Sequence, residues 1–157
     1  MSTRGAVGIR YNGIDKVGYN HNDSDPSFLG TSILTWLKTQ TVKSLKDFYS
    51  IIQLTEDTSN DVWDSVNDRM NDKFEDYHEF LYNSLFCEYA YIINLNTRKL
   101  EFYTGFNRNP EANGRYADHY AYKDDHRYCG VVLVQSIPLS AIFADRYRAA
   151  NICFIKK

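Results

Sequence analysis

The sequence is poor in cysteine, proline and glycine, and it contains no long hydrophobic run. Its 157 residues include 3 Cys, 3 Pro and 8 Gly. Cys87, Cys129 and Cys153 are widely spaced and odd in number, which argues against a disulfide framework or a zinc motif and predicts reduced thiols in a cytoplasmic protein. No apolar stretch approaches the roughly 18 residues of a membrane span, and the N-terminus has no apolar core of signal-peptide length. We therefore expect neither a secreted nor a membrane protein.

Excess positive charge is also absent, and the charge that is present is unevenly distributed. The formal net charge is −2, whereas proteins that bind nucleic acid directly usually carry a basic face. Residues 56–79 contain nine acidic and two basic (Lys or Arg) side chains. The composition therefore argues against direct nucleic-acid binding and marks one strongly acidic segment.

Nothing in the sequence divides the chain into separate units. It has no internal repeat and no linker rich in Pro, Gly or Ser, and 157 residues suffice for one domain with a core. Hydrophobic residues make up 43% of the chain, with 13 Tyr and 9 Phe among them. We predict one globular domain over residues 1–157.

Local patterns predict two hairpins. Alternating apolar residues flank Asn12-Gly13, which is the strongest short-range hairpin signal. A second hairpin is predicted over residues 88–106, with its turn at 94–99. An apolar strand over 130–138 and a closing strand over 151–157 complete the predicted sheet.

Helices are predicted between the hairpins. Pro26 directly after Asp25 is a helix start, and apolar residues at positions 29, 33, 36 and 37 share one face of a helix over 26–39. A second helix begins near Thr41, and residues 58–70 and 74–86 are predicted as amphipathic helices with acidic outer faces. Residues 107–129 lack periodicity and are predicted as a long surface loop. Hairpins segregated from helices predict an α+β fold, with helices packed on a mostly antiparallel sheet.

The stretch YNHNDSD, residues 19–25, gathers polar side chains where a strand meets a helix. A helix start can bind an anion, and a histidine beside a carboxylate can act as an acid/base pair. The ligand-binding residues of such a site would be Arg4, Tyr19, Asn20, His21, Asp23 and Asp25. The stretch also has a structural interpretation, in which Asp25 or Ser24 caps the helix while His21 and Asn20 satisfy backbone groups in the turn. We favour this structural lock between the first hairpin and the first helix.

No catalytic or metal-binding set is evident elsewhere. Ser2 would become an N-terminal nucleophile if Met1 is removed, but this signal is weak because many proteins begin with Met-Ser. The sequence has no phosphate-binding glycine loop, no nucleophile elbow and no zinc signature. We therefore assign no catalytic residue, no metal and no cofactor.

Two further segments are candidate contacts for a protein partner. The acidic segment would dock on a basic surface, such as the groove of a nucleic-acid-binding enzyme, through Asp61, Asp64, Asp68 and Asp72. Residues 116–128 are rich in Tyr, a residue favoured at interfaces, and would make contact through Tyr116, Tyr120 and Tyr122. The alternatives are the solvated faces of helices and a surface loop without a partner.

A series of residues near the start of the chain combines a Thr-Arg pair, a hairpin glycine and an aromatic-Asn-His-x-Asp-Ser-x-Pro stretch before a Gly. The residues are Thr3, Arg4, Gly13, Tyr19, Asn20, His21, Asp23, Ser24, Pro26 and Gly30. In this series the chain resembles a group of uncharacterised small proteins of bacteriophages and prophages. Segments 86–106 and 132–139 also resemble that group. The acidic middle does not, and Asp25 stands where an aromatic residue is expected.

The resemblance implies a phage or mobile-element setting and no particular activity. Small phage proteins of this kind often act by binding, as counter-defence or host-takeover factors. We therefore expect a phage-type accessory protein in the cytoplasm of the infected host, which inhibits a host or anti-phage defence protein. One alternative is a nucleotide-like small-ligand binder or hydrolase built around residues 19–25. Another is a structural protein that forms a homodimer through a hairpin edge.

Overall fold

The first hairpin forms as the sequence predicts in the computed structural model, which describes residues 3–56, 60–120, 127–145 and 154. Strands β1 (Gly5–Tyr11) and β2 (Ile14–Asn20) pair antiparallel, with Tyr11 opposite Ile14. Asn12 and Gly13 have φ angles of 52° and 74°. A two-residue turn that matches the twist of its strands needs such left-handed conformations, which explains the Asn-Gly pair.

The predicted helices follow directly. A π-helical turn, Pro26–Gly30, leads into α1 (Thr31–Leu37), and α2 (Val42–Ile51) comes next. The hydroxyl of Thr41 accepts a hydrogen bond from the backbone N–H of Ser44, and the Ser44 hydroxyl accepts one from the N–H of Thr41. This reciprocal cap satisfies two donors that a helix start otherwise leaves unpaired, so it fixes where α2 begins.

The described part of the acidic middle contains no α-helix, so the prediction of amphipathic helices over 58–70 and 74–86 is wrong. The described part of this region has four short strands: β3 (Gln53–Thr55), β4 (Trp63–Asp64), β5 (Arg69–Met70) and β6 (Lys73–Glu75). A 3₁₀ helix, His78–Tyr82, follows them. β4 and β5 form a hairpin, and β3 pairs in parallel with β6. Turn-forming Asp and Asn side chains that bond the local backbone compete here with helix formation.

The main sheet combines two hairpins and one further strand. Strands β7 (Tyr89–Asn94) and β8 (Lys99–Thr104) form the predicted second hairpin, and β9 (Val132–Pro138) pairs antiparallel with β8. Within the described residues the strand order is β2-β1-β7-β8-β9. β1 and β7 are parallel, because the chain between them crosses over through the helices. Helix α3 (Leu139–Ala144) follows β9, and the predicted closing strand lies outside the described residues apart from Phe154.

Both faces of the main sheet are covered. One face packs on the helices and the acidic segment through Val7, Ile9, Tyr91, Ile93 and Phe102. The opposite face, called the second face below, carries Ala6, Val17, Ala90, Ile92 and Tyr103, which pack with Leu81, Tyr116 and Val131. Burial on both sides explains the nearly continuous apolar run of β7. The α+β fold class is confirmed, and no helix in the described ranges is long and apolar enough to cross a membrane.

Candidate functional site

The polar side chains of residues 19–25 are largely bonded to one another and to the nearby backbone. The amide of Asn20 donates to the Ser24 Oγ and to the Asn22 carbonyl, both at 2.8 Å. Asn20 and Ser24 are buried, and the Ser24 N–H donates to the Thr3 Oγ1 at 2.8 Å. The Tyr91 hydroxyl donates to the Ser24 carbonyl at 2.8 Å. These bonds join β2, the helix start and β7, so Asn20 and Ser24 do connect these elements. The helix start has no side-chain cap bond, so the predicted cap by Asp25 or Ser24 is wrong.

His21 and Asp23 lie on the outer side of this loop. Both are exposed, and the Nδ1 atom of His21 is 2.9 Å from the hydroxyl of Tyr19. Asp23 has a φ of 54°, and its carbonyl accepts the N–H of Leu29 at 3.2 Å. Burial between Tyr77 and Phe80 raises the pKa of Tyr19, which keeps its hydroxyl protonated at neutral pH.

Arg4, another of the predicted ligand-binding residues, is exposed. Its guanidinium lies 5.9 Å from the centre of the Phe86 ring, and its backbone N–H donates to the Glu88 carboxylate at 2.9 Å. Among the described residues, no ion pair joins Arg4 to Asp23 or Asp25. The six predicted ligand-binding residues therefore lie near one end of the sheet but do not converge on one bonded cluster. The small-ligand hypothesis stays a prediction.

We expect Ser24→Ala to destabilise the protein by about 1–2 kcal/mol, because the buried Asn20 amide loses an acceptor. His21→Ala should change the free energy of unfolding by less than about 0.5 kcal/mol, because the side chain is exposed. Urea unfolding followed by circular dichroism would measure both. A nucleotide that raises the melting temperature of the wild type but not of His21→Ala would instead favour a ligand site.

The Tyr-rich loop does not present all its tyrosines to a partner. Tyr116 is buried against the second face, so its predicted role as a surface contact is wrong. Its hydroxyl donates to the Asp15 carboxylate at 2.9 Å, across 101 positions of sequence. Tyr120 is half-buried, and Tyr122 lies outside the described residues. Around Tyr116 the loop thus packs on the sheet, whereas residues 108–111 and 118–119 are exposed.

A charge network that the sequence did not reveal holds this loop in place. The Arg115 guanidinium donates to both carboxylate oxygens of Glu101, at 2.7 and 2.9 Å, and to the Tyr116 hydroxyl at 3.0 Å. Glu101 also accepts from the Tyr103 hydroxyl at 2.9 Å and from the Asn94 amide at 3.2 Å. Burial, together with the nearby carboxylates, raises the pKa of both Tyr103 and Tyr116. Both phenols therefore remain hydrogen-bond donors at physiological pH.

The four aspartates predicted to contact a partner lie in or beside the β4–β5 hairpin. We call residues 61–72 the acidic hairpin. The Asp64 carboxylate accepts the N–H groups of Val66 and Asn67, at 2.9 and 3.0 Å, and the Asn67 amide at 2.8 Å. These bonds lower the pKa of Asp64 and fix the turn. Val66 at the tip is 89% exposed.

The acidic hairpin is anchored at its base. Trp63 and Met70 are buried opposite each other in its short ladder. The Val62 N–H donates to the Tyr19 carbonyl on the outer edge of β2, at 2.9 Å. Among the described residues, no Lys or Arg forms an ion pair with Asp61, Asp64, Asp68 or Asp72. The hairpin thus presents carboxylates that form no salt bridge within the described residues, although the charge of Arg69, opposite Asp64 in the ladder, helps to lower the pKa of Asp64.

A groove separates the acidic hairpin from the helices. We call it the α2 groove; its volume is about 390 Å³. Half-buried Trp36 and Phe48 and buried Met70 supply apolar surface, and Ile51 is 57% exposed beside them. The other residues of the wall are polar or charged: Gln40, Ser44, Asp47, Arg69 and Asp72. Asp72 therefore belongs both to the predicted acidic surface and to this groove.

The sequence contained a partial signal for the α2 groove. Residues 44, 48 and 51 recur at helical spacing on α2, and they share a face next to the one that carries buried Leu45. Met70 and Asp72 complete the groove from another part of the chain, which periodicity within one helix cannot show. The charge network had a weaker signal: Glu101 stands in an apolar strand, where an acid without a partner would be costly.

Comparison with known proteins gives no identification. No protein-family model matches the chain, and no curated protein or solved structure gives a match. Within the described residues, no group of three or more His, Cys, Asp or Glu side chains is placed to hold a metal ion. The candidate site therefore rests on the acidic hairpin and the α2 groove.

Proposed function

We propose that the protein acts by binding another protein through the acidic hairpin. The supporting observation is a set of carboxylates, without a salt bridge among the described residues, beside an apolar tip, Val66, that is 89% exposed. An exposed apolar contact surrounded by polar groups has the arrangement of an interface core and rim. The carboxylates would select a basic partner surface and speed association by long-range attraction.

The resemblance to small phage proteins suggests the setting of this binding. In this setting, the protein would be a phage-type accessory factor in the cytoplasm of the infected bacterium. Its target would be a host or anti-phage defence protein, inhibited by occupation of a basic groove that otherwise holds nucleic acid. The resemblance supports the setting, and the acidic hairpin supports the chemistry of the contact.

Charge reversal at Asp61 and Asp72 tests the proposal, with a partner first captured from bacterial lysate. These two carboxylates accept no hydrogen bond from the described residues, whereas those of Asp64 and Asp68 support the hairpin itself. We expect the double variant Asp61→Lys/Asp72→Lys to lower the association rate about tenfold or more at low salt. The difference should shrink as salt is added, because salt screens exposed charges. Surface-binding kinetics at several salt concentrations would measure it.

The matched control is Glu111→Lys/Asp118→Lys, which alters two exposed acids outside the acidic hairpin. Both double variants change the net charge by the same amount, so a general charge effect would weaken both equally. Equal association rates for the two variants would sink the acidic-hairpin proposal.

A further inference from the structure

The α2 groove lies directly beside the acidic hairpin, with Asp72 common to both. We infer that this groove receives an apolar side chain from a basic segment of the partner protein. The inference rests on the proposed function and names the part of the partner that would carry its affinity. It requires three properties of the groove: enough space, an apolar surface, and a rim that favours positive charge.

The groove has the space and the surface for such an anchor. Its volume of about 390 Å³ falls in the range of about 300–1,000 Å³ typical of ligand pockets. The Trp36 and Phe48 rings meet edge to face, with centroids 5.5 Å apart, and Trp36 also contacts Trp63 at 5.8 Å. An apolar side chain placed on these rings would lose its contact with water, as anchors in binding hot spots do.

The outer wall of the groove exposes apolar surface to water, and the hydrophobic core does not require that surface. Ile51, the last residue of α2, is 57% exposed, whereas its neighbour Ile52 is 6% exposed. The core therefore uses Ile52 and leaves Ile51 on the groove. Contact with a partner would cover this side chain together with the exposed parts of Trp36 and Phe48.

Charge decides which kind of segment fits. Asp47 on α2 and Asp72 after β5 both line the groove. Lys43 lies 2.8 Å from Asp47, but the two side chains are 85% and 65% exposed, and such surface pairs contribute little. Arg69 also lines the groove, and its charge helps to lower the pKa of Asp64. Two aspartates against one arginine give the groove wall a net negative charge, which favours a lysine or arginine beside the anchor over an acidic side chain.

A synthetic peptide in which pairs of Lys alternate with Leu and Phe provides a defined probe. We expect it to bind and to change the tryptophan fluorescence of the protein, because Trp36 lines the groove. Ile51→Ser should weaken its affinity about tenfold, because the anchor loses an apolar wall. Ile14→Ser is the matched control, since Ile14 is 62% exposed on the first hairpin and does not line the groove. Isothermal titration calorimetry would give the affinities, and circular dichroism would verify that both variants fold.

Two altered peptides separate the contributions of charge and apolar surface. Replacement of Leu and Phe by Ser should abolish the Ile51-dependent part of the affinity, and replacement of Lys by Glu should abolish binding. If Ile51→Ser and Ile14→Ser bind the Lys/Leu/Phe peptide equally, the groove inference is wrong. The acidic-hairpin proposal would survive that result if Asp61→Lys/Asp72→Lys still slowed association with the captured partner. If that double variant binds the captured partner as its control does while the Ile51 effect is present, the acidic-hairpin proposal fails, and only the apolar contact of the groove inference stands.

Discussion

Glu101→Ala should destabilise the protein by about 3 kcal/mol, because it leaves Arg115 without its carboxylate partner in a partly buried position. The Glu101 side chain is 9% exposed and that of Arg115 is 29% exposed. The exposed part of Arg115 can be rehydrated, so we expect the lower end of the range for a broken buried pair. The Tyr103 hydroxyl and the Asn94 amide would lose an acceptor at the same time. Urea unfolding monitored by circular dichroism would measure the loss.

Two further variants show whether the charge network is responsible. Glu111→Ala removes an exposed carboxylate from the same loop and should change the free energy of unfolding by less than about 0.5 kcal/mol. Glu101→Met combined with Arg115→Met removes both charges, so it should recover part of the stability lost by Glu101→Ala. A loss below about 1 kcal/mol for Glu101→Ala would contradict the view that this network holds the loop.

Local chemistry explains why parts of the fold were predictable. Asn12-Gly13 specifies its turn through two adjacent left-handed conformations, and Thr41 starts α2 through bonds to a residue three positions away. Both signals lie within a few residues of the structure that they determine. The hairpins and the first two helices are therefore visible in the sequence.

The acidic hairpin shows where periodicity misleads. Val62, Trp63, Val66 and Met70 have helical spacing, but only three of them are buried, and Val66 is 89% exposed at a turn. The turn forms because the Asp64 carboxylate accepts two backbone N–H groups, and such bonds compete with a helix. In so short a segment, apolar spacing alone does not separate a helix from a hairpin.

Tyr116 shows a second limit of prediction from sequence, which is contact between residues that are far apart in the chain. Its bond to Asp15 spans 101 positions, and the parallel pairing of β1 with β7 is similarly remote. No local pattern records either contact. The contact between Asn20 and Ser24 was predictable because the two residues are close in sequence. The charge network and the α2 groove join distant segments, so they were not.

Gly130→Ala should destabilise the protein by about 3 kcal/mol, because a Cβ atom at this position would overlap the backbone of Tyr116. The Tyr116 carbonyl oxygen is the nearest atom, and a backbone atom cannot move aside as a flexible side chain can. The surrounding backbone is also fixed: the Gly130 carbonyl accepts the Asn107 amide at 2.9 Å, and the Val131 N–H donates to the Leu81 carbonyl at 2.9 Å. Thermal and urea unfolding would measure the loss.

Gly13→Ala is the control that separates this steric cost from the cost of an unfavourable backbone conformation. Gly13 has a φ of 74°, and the nearest atom to an added Cβ is 3.9 Å away, so we expect a loss of only about 1 kcal/mol. A loss at Gly130 no greater than that at Gly13 would refute the close approach of the two backbones. Gly130→Ala and Glu101→Ala both alter the attachment of the loop over residues 107–129. Gly130→Ala acts through the backbone of the loop, and Glu101→Ala acts through its side chains. Both variants should therefore lower the protection of amide hydrogens over residues 107–120 more than in the strands of the main sheet.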